Sequence, residues 1–298
     1  MDLSKLTTEQ RNINTYNLDT MSSLEIATIM NKEDEKVAKA IQTELPSISK
    51  AIDAIVNTFN NGGKLYYIGA GTSGRLAVLD ASECPPTYGV PPEMVVGIIA
   101  GGDKALRFPS EGAEDSTEFG VSDLKKYNFT RNDILVGLAA SGRTPYVIEA
   151  LKYAKKLGAK TISVACNKNS SIGKEADIPI EVDTGPEVLT GSTRLKAGTA
   201  TKLVLNMLST GSMVRIGKAY QNLMVDVVPS NEKLVIRAHK IIEEATGVDE
   251  ATAQTALKAA NNSCKLAILM ILTHSEVAEA KQLLEKSNGH ISKAISLK

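Results

Sequence analysis

Two glycine-rich loops and a few carboxylates hold the residue types that could do chemistry in this sequence. The first loop, Gly69-Ala70-Gly71-Thr72-Ser73-Gly74-Arg75, follows the short apolar run Leu65-Tyr66-Tyr67-Ile68, which reads as a buried strand. Leu76, Val78 and Leu79 start a helix straight after it. The hydroxyls and Arg75 therefore sit at a helix N-terminus, where free N–H groups and the positive end of the helix dipole favour an anion or sugar hydroxyls. No acidic residue ends a second strand about 20 residues on, as dinucleotide binding requires, and taken alone the loop fits an unliganded turn equally well. The second loop, Ser141-Gly142-Arg143-Thr144, also follows an apolar run, with Thr144 as N-cap and Pro145 at the first helical position. A third polar stretch, from Thr190 to Thr199, carries Ser192, Thr193, Arg194 and Lys196 ahead of a long apolar helix. Glu187, Arg194 and Lys196 are candidate substrate contacts there, with salt bridging and helix capping as rivals, and capping accounts for Ser192 or Thr193 taken singly. As isolated residues, Glu83 reads as an exposed helix-end acid and Glu114 as a first-turn acid complementing a helix dipole.

Composition narrows the chemistry. Lys plus Arg and Asp plus Glu balance at 34 each, so no global field recruits nucleic acid or an anionic membrane. There is no Trp and aromatics make up only 4%, which argues against base-stacking platforms. Cys84, Cys166 and Cys264 form no C-x-x-C and read as buried free thiols. His239, His274 and His290 all lie in the last quarter of the chain. Acids and bases working at the two loops must then be carboxylates, Lys or Tyr, which removes Ser-His-Asp hydrolysis and most histidine-ligated metal catalysis. The start of the sequence has no apolar signal core, and no run approaches the roughly 20 apolar residues of a membrane helix, so a soluble cytoplasmic protein is expected.

The elements that must position these residues follow from period and breakers. Residues 1–20 read as an extended arm. Ser22 or Ser23 caps a short helix through Met30, and Asn31 caps the next. Pro46 starts a helix carrying Ile48, Ile52, Ile55 and Phe59, which Gly62-Gly63 ends. Strands are expected at 65–68, 94–99, 134–138, 161–165 and 178–182. Residues 85–92 read as a proline-rich loop, and Glu111-Gly112-Ala113-Glu114-Asp115 as the opening of a helix towards Tyr127. Short apolar runs bounded by glycine turns imply an α/β fold with a doubly wound, mainly parallel sheet, whose sites sit at the carboxyl ends of strands. From Glu232 the pattern is helical only, and residues 257–268 resemble 284–295 as a weak internal repeat. The division expected is an arm and helices over 1–54, a sugar-binding α/β domain over 55–218, and a linker with a small three-helix domain, similar in pattern to ubiquitin-associated modules, over 219–298.

The Ser141–Thr144 loop resembles the phosphate loop of sugar isomerase (SIS) domains. Together with Gly69–Glu83, the Glu111–Asp115 block and Gly185–Gly198, with Thr8-Glu9-Gln10-Arg11-Asn12 and Tyr220-Gln221-Asn222-Leu223-Met224-Val225-Asp226, the chain resembles the N-acetylmuramic acid 6-phosphate etherases over nearly its whole length. That resemblance implies a lyase that removes D-lactate from a phosphorylated amino sugar, as in recycling of cell-wall amino sugars, with Glu83 and Glu114 as its acid and base. It implies substrate contacts from Gly71, Thr72, Ser73, Arg75, Ser141, Gly142, Arg143 and Thr144, no cofactor or metal, and a homodimer. Two other readings share the fold: a sugar-phosphate isomerase, several of which use a histidine this region lacks, and a non-catalytic phosphosugar sensor similar to the glucokinase regulatory protein. A helix-turn-helix regulator is disfavoured, since the early helices carry no basic recognition face.

Overall fold

The structure is a computed structural model that describes residues 6–110, 112–227 and 232–298. The chain divides into two compact units, Met1–Ser82 with Glu93–Ser209, and Glu83–Pro92 with Thr210–Lys298. No helix among the described residues is long and apolar enough to cross a membrane.

The first unit is built on a parallel sheet of five strands: β1 (Leu65–Gly69), β2 (Val95–Ile99), β3 (Ile134–Leu138), β4 (Lys160–Ala165) and β5 (Ile178–Glu181), in the order β2-β1-β3-β4-β5. β1 and β3 are buried at every residue, because helices cover both faces, and this is why they read as unbroken apolar runs. Helices α1 (Ser23–Gln42), α2 (Leu45–Asn60), α3 (Gly71–Tyr88), α4 (Phe119–Lys126), α5 (Pro145–Leu157), α6 (Ser171–Glu175) and α7 (Lys196–Arg215) complete the early and middle chain. One core cluster gathers Tyr66, Ile68 and Leu135 of the sheet with Tyr146, Val147 and Leu151 of α5. Tyr146 Oη donates to Asp123 at 2.6 Å, tying α5 to α4.

Four local expectations are corrected. The two short helices expected on either side of Asn31 are one helix, α1. A reciprocal Ser22–Glu25 capping box starts it, and Glu33, Val37 and Ile41 share a buried face four residues apart that carries it past the exposed Asn31. The proline-rich loop expected at 85–92 is partly helical, since α3 continues through Pro85 and Pro86, and the Gly89 N–H closes its last turn on the Pro85 carbonyl. The helix expected from Glu111 begins at Phe119; Glu111 itself lies outside the described residues. Gly112 has φ 75°, residues 112–115 form a turn, and the Ser116 hydroxyl accepts from the Glu118 and Phe119 N–H groups to start α4 there. The arm, as far as it is described, carries single 3₁₀ turns at Thr7–Glu9, Ile13–Thr15 and Leu18–Thr20 rather than being extended throughout.

The second unit holds a two-residue hairpin that sequence reading missed, β6 (Ala219–Tyr220) and β7 (Leu223–Met224), turned by Gln221 at φ 52°. Then come α8 (Glu232–Thr246), α9 (Glu250–Ala259), α10 (Cys264–Thr273), α11 (Val277–Lys286) and α12 (Ile291–Ile295) around an apolar core that includes Ile242, Leu257, Ile268 and Ile291. The repeat in the sequence is a repeat of turns. Asn261 and Asn262 between α9 and α10, and Asn288 and Gly289 between α11 and α12, form two successive left-handed pairs.

Candidate active site

β1 and β3 are neighbours in register, Gly69 opposite Leu138, yet the chain leaves β1 for β2 on one side and β3 for β4 on the other. Connections that part in this way leave a crevice at the carboxyl ends of the two strands. Both polar loops open into it. Gly74 packs onto the strand end so closely that a Cβ there would lie 2.6 Å from the Gly69 carbonyl oxygen, so α3 begins immediately after Ala70. Its first-turn residues Gly71, Thr72 and Ser73 line a cleft of about 350 Å³ together with Ser141 and Thr144 from the β3–α5 loop. The Thr144 hydroxyl makes no capping bond to α5, which leaves it to the cleft. Gly142 shapes that loop: its φ is 72°, and a Cβ would meet Ser170 Cβ at 2.4 Å. Two helix N-termini and several hydroxyls thus converge on one space, a setting for an anion.

Glu114 lines the same cleft. Its carbonyl accepts the Tyr146 N–H at 3.1 Å, which ties its turn to the first turn of α5 while its side chain stays exposed. Arg75 lies beside the cleft, in a smaller cavity of about 210 Å³ that Ala70, Gly71 and Glu114 also line. Thr193, Gly198 and Thr201 close another side of the larger cleft.

Glu187 and Lys196 are not among the residues lining either cavity, and their capping and ion-pairing rivals account for them. Glu187 is fully buried and accepts the Lys196 and Ala197 N–H groups at 2.9 Å each, so the N-terminus of α7 already holds a carboxylate. Burial pushes the Glu187 carboxyl up, against those two N–H groups. Lys196 Nζ meets Glu33 at 2.7 Å, with both side chains almost wholly enclosed. Arg143 and Ser192 are half-buried outside the cleft lining, and Arg194 is exposed. Glu83 is exposed on α3 and is not among the residues lining either cavity.

Sequence reading missed Glu9 as a site residue, although it lines the cleft. The arm brings it there through long-range side-chain bonds. The Thr7 hydroxyl lies 3.0 Å from Asn167 Oδ1 and 2.9 Å from Asp183 Oδ1, Asn167 Nδ2 donates to the buried Thr8 hydroxyl at 2.9 Å, and Thr15 donates to the Val188 carbonyl at 2.9 Å. The signal available in the sequence was the cluster of hydroxyl and amide side chains at 7–15, which has no helical or strand period.

Residues 47–155 match the family model of the glucokinase regulatory protein N-terminal SIS domain, and residues 120–211 match the SIS domain. The chain is 60% identical over 293 residues to an N-acetylmuramic acid 6-phosphate etherase of Actinobacillus pleuropneumoniae serotype 5b (strain L20), covering 98% of this chain and 96% of the relative. It is 61% identical over 295 residues to the protein of the same name from Oenococcus oeni (strain ATCC BAA-331 / PSU-1), covering 99% of each. Among solved structures, a phosphoheptose isomerase from Francisella tularensis aligns with TM-score 0.49 at 18% identity, over 65% of this chain and 100% of that one.

Proposed function

We propose a division of labour within the site of a chain that belongs to the N-acetylmuramic acid 6-phosphate etherase family. The protein is a lyase that cleaves the D-lactyl ether of N-acetylmuramic acid 6-phosphate, giving N-acetylglucosamine 6-phosphate and D-lactate. An alkyl ether has a poor leaving group and no carbonyl at the breaking bond, so direct attack by water is slow. In the ring-opened sugar, C1 is an aldehyde and the C2 proton is acidic. A base removes that proton, an acid protonates the departing lactate oxygen, and water then adds to C3 of the unsaturated sugar. Two carboxyls in opposite protonation states suffice, and the scheme asks for no cofactor.

In this scheme the first turns of α3 and α5, with the Ser141 and Thr144 hydroxyls, hold the 6-phosphate, and Glu114 is the base at C2. The observation that carries the reading is the single cleft in which Glu114 faces both hydroxyl-bearing helix starts. Glu83 is the acid by family correspondence. Glu83 is not among the residues lining the cleft that holds Glu114, which supports a homodimer in which each copy lends Glu83 to the other's cleft. Exposed apolar residues support a partner surface: Leu79 on α3 is 49% exposed and Leu24 on α1 is 78% exposed. Residues 55–218 carry the sugar chemistry by this division, and a phosphorylated sugar substrate supports a cytoplasmic setting.

Incubation of the purified protein with N-acetylmuramic acid 6-phosphate should release D-lactate, and no release would end the etherase reading. The dimer is tested separately. Glu83→Gln and Glu114→Gln chains, each strongly impaired alone, should regain activity when mixed and re-equilibrated, because one site in the hybrid has both carboxylates. Sedimentation as an active monomer, or no recovery from a verified hybrid, would rule out the shared site.

A further inference from the structure

The smaller cavity beside the cleft has a composition of its own. Ala100, Ala105 and Pro109 give it an apolar wall, Arg75 supplies a cation, and Glu114 stands on the wall it shares with the larger cleft. Arg75 Nε donates to the Leu106 carbonyl at 3.1 Å, which orients the guanidinium and leaves its terminal N–H groups for another acceptor. The chamber is shaped by backbone that only glycine tolerates. Gly101 has φ 87°, and a Cβ there would lie 2.4 Å from Ser110 Oγ, so the loop bearing Pro109 and Ser110 folds directly over the exit of β2.

We infer that this chamber is the subsite for the lactyl group, a short 2-alkoxy-carboxylate. The inference rests on the etherase reading above and adds to it which part of the molecule binds the leaving group. The carboxylate pairs with Arg75, whose planar fork suits a carboxylate better than a point charge does. The methyl group lies against Ala100, Ala105 and Pro109. The sugar and its phosphate occupy the larger cleft. The bond that breaks then lies between the two cavities, at the wall where Glu114 stands. A second anion-binding position apart from the phosphate is what a substrate with two anionic ends demands, since one pocket holding both would set like charges against each other.

The reaction product supplies the control, because N-acetylglucosamine 6-phosphate keeps the sugar and phosphate and lacks only the lactyl group. Arg75→Gln should lower kcat/KM for N-acetylmuramic acid 6-phosphate by about 10- to 100-fold, the range of one lost charge-assisted hydrogen bond. Its dissociation constant for N-acetylglucosamine 6-phosphate, measured by calorimetry, should stay within about twofold of wild type. Ser110→Leu adds bulk at an exposed residue that lines the chamber, keeps Arg75, and should show the same selective loss. Equal weakening of both ligands in Arg75→Gln would place Arg75 on the phosphate and overturn the inference. Wild-type turnover in either variant would do the same. A wild-type protein that releases no D-lactate is a different failure, that of the etherase reading itself.

Discussion

Replacing Glu33 by Met should strand the Lys196 ammonium inside the protein. The Glu33 and Lys196 side chains are 2% and 1% exposed, and their charged atoms lie 2.7 Å apart. Burial alone would raise the Glu33 carboxyl, but hydrogen bonds from Lys196, Lys36 and Asn14 and the Lys196 charge hold it down at about 2. From an ordinary value of 4.5, that depression corresponds to about 3 kcal/mol of stability. Breaking a buried pair by removing one partner costs about 3–5 kcal/mol, a second route to the same magnitude. Because the folded value is depressed, the contribution is present above pH 4.5 and is lost as pH falls towards 2. Urea unfolding of Glu33→Met at pH 7 should therefore show a loss of about 3–5 kcal/mol that shrinks near pH 3. The double variant Glu33→Met/Lys196→Met should regain most of the loss. A single variant within about 1 kcal/mol of wild type would refute the argument, since exposed pairs contribute no more than that. The double variant also settles the place of Lys196 in function. Retained affinity for N-acetylglucosamine 6-phosphate is expected of a residue that only braces α7, and selective loss would make it a substrate contact.

Three further outcomes are expected. Ser141→Ala should weaken N-acetylglucosamine 6-phosphate binding about tenfold or more by calorimetry, and unchanged affinity would put the phosphate elsewhere. Glu114→Gln and Glu83→Gln should each lower kcat about 10²–10⁴-fold with affinity little changed. In D₂O the Glu114 variant should lose exchange at C2, while the Glu83 variant exchanges without expelling lactate. Wild-type product with no deuterium at C2 would point to direct displacement instead. Burial beside Ser209 and Tyr67 raises Asp80 from 3.8 to about 6, so its cost to stability is absent below pH 3.8 and complete above pH 6. Asp80→Asn, which keeps an acceptor for the Ser209 hydroxyl, should be more stable than wild type at pH 8 by up to about 3 kcal/mol, with no gain at pH 4. A gain that does not vary with pH would contradict this account.

The sheet and its two loops were legible because their signals are local. Runs such as Ile134–Leu138 are apolar throughout, and the glycines after them mark the turns. What could not be read depended on residues far apart in sequence. Asn31 looks like a helix cap until Glu33, Val37 and Ile41 are seen to share a buried face. Glu187 and Lys196 look like free chemistry at an anion-friendly helix start, until the Glu187 carboxylate is found on the α7 N–H groups and Lys196 on a partner 163 residues away. Glu114 was singled out by family likeness but placed on a helix, whereas its position on a turn is set by the Tyr146 N–H, 32 residues further on. Glu9 was passed over for the same reason, since its neighbours' partners are Asn167, Asp183 and Val188.

Those arm bonds also order the birth of the protein. Thr7, Thr8, Asn12 and Thr15 bond to residues 159–176 positions later in the chain. The ribosome therefore makes the arm long before anything exists for it to fasten to. Closing loops of that length costs entropy that grows only slowly with length, but the closure must wait for its far end. β1, β3 and both hydroxyl-bearing helix starts can emerge and pair while the Glu9 side of the cleft is still missing. A nascent chain has its anion loops early, while residues 7–15, made before those loops, are among the last to reach their places.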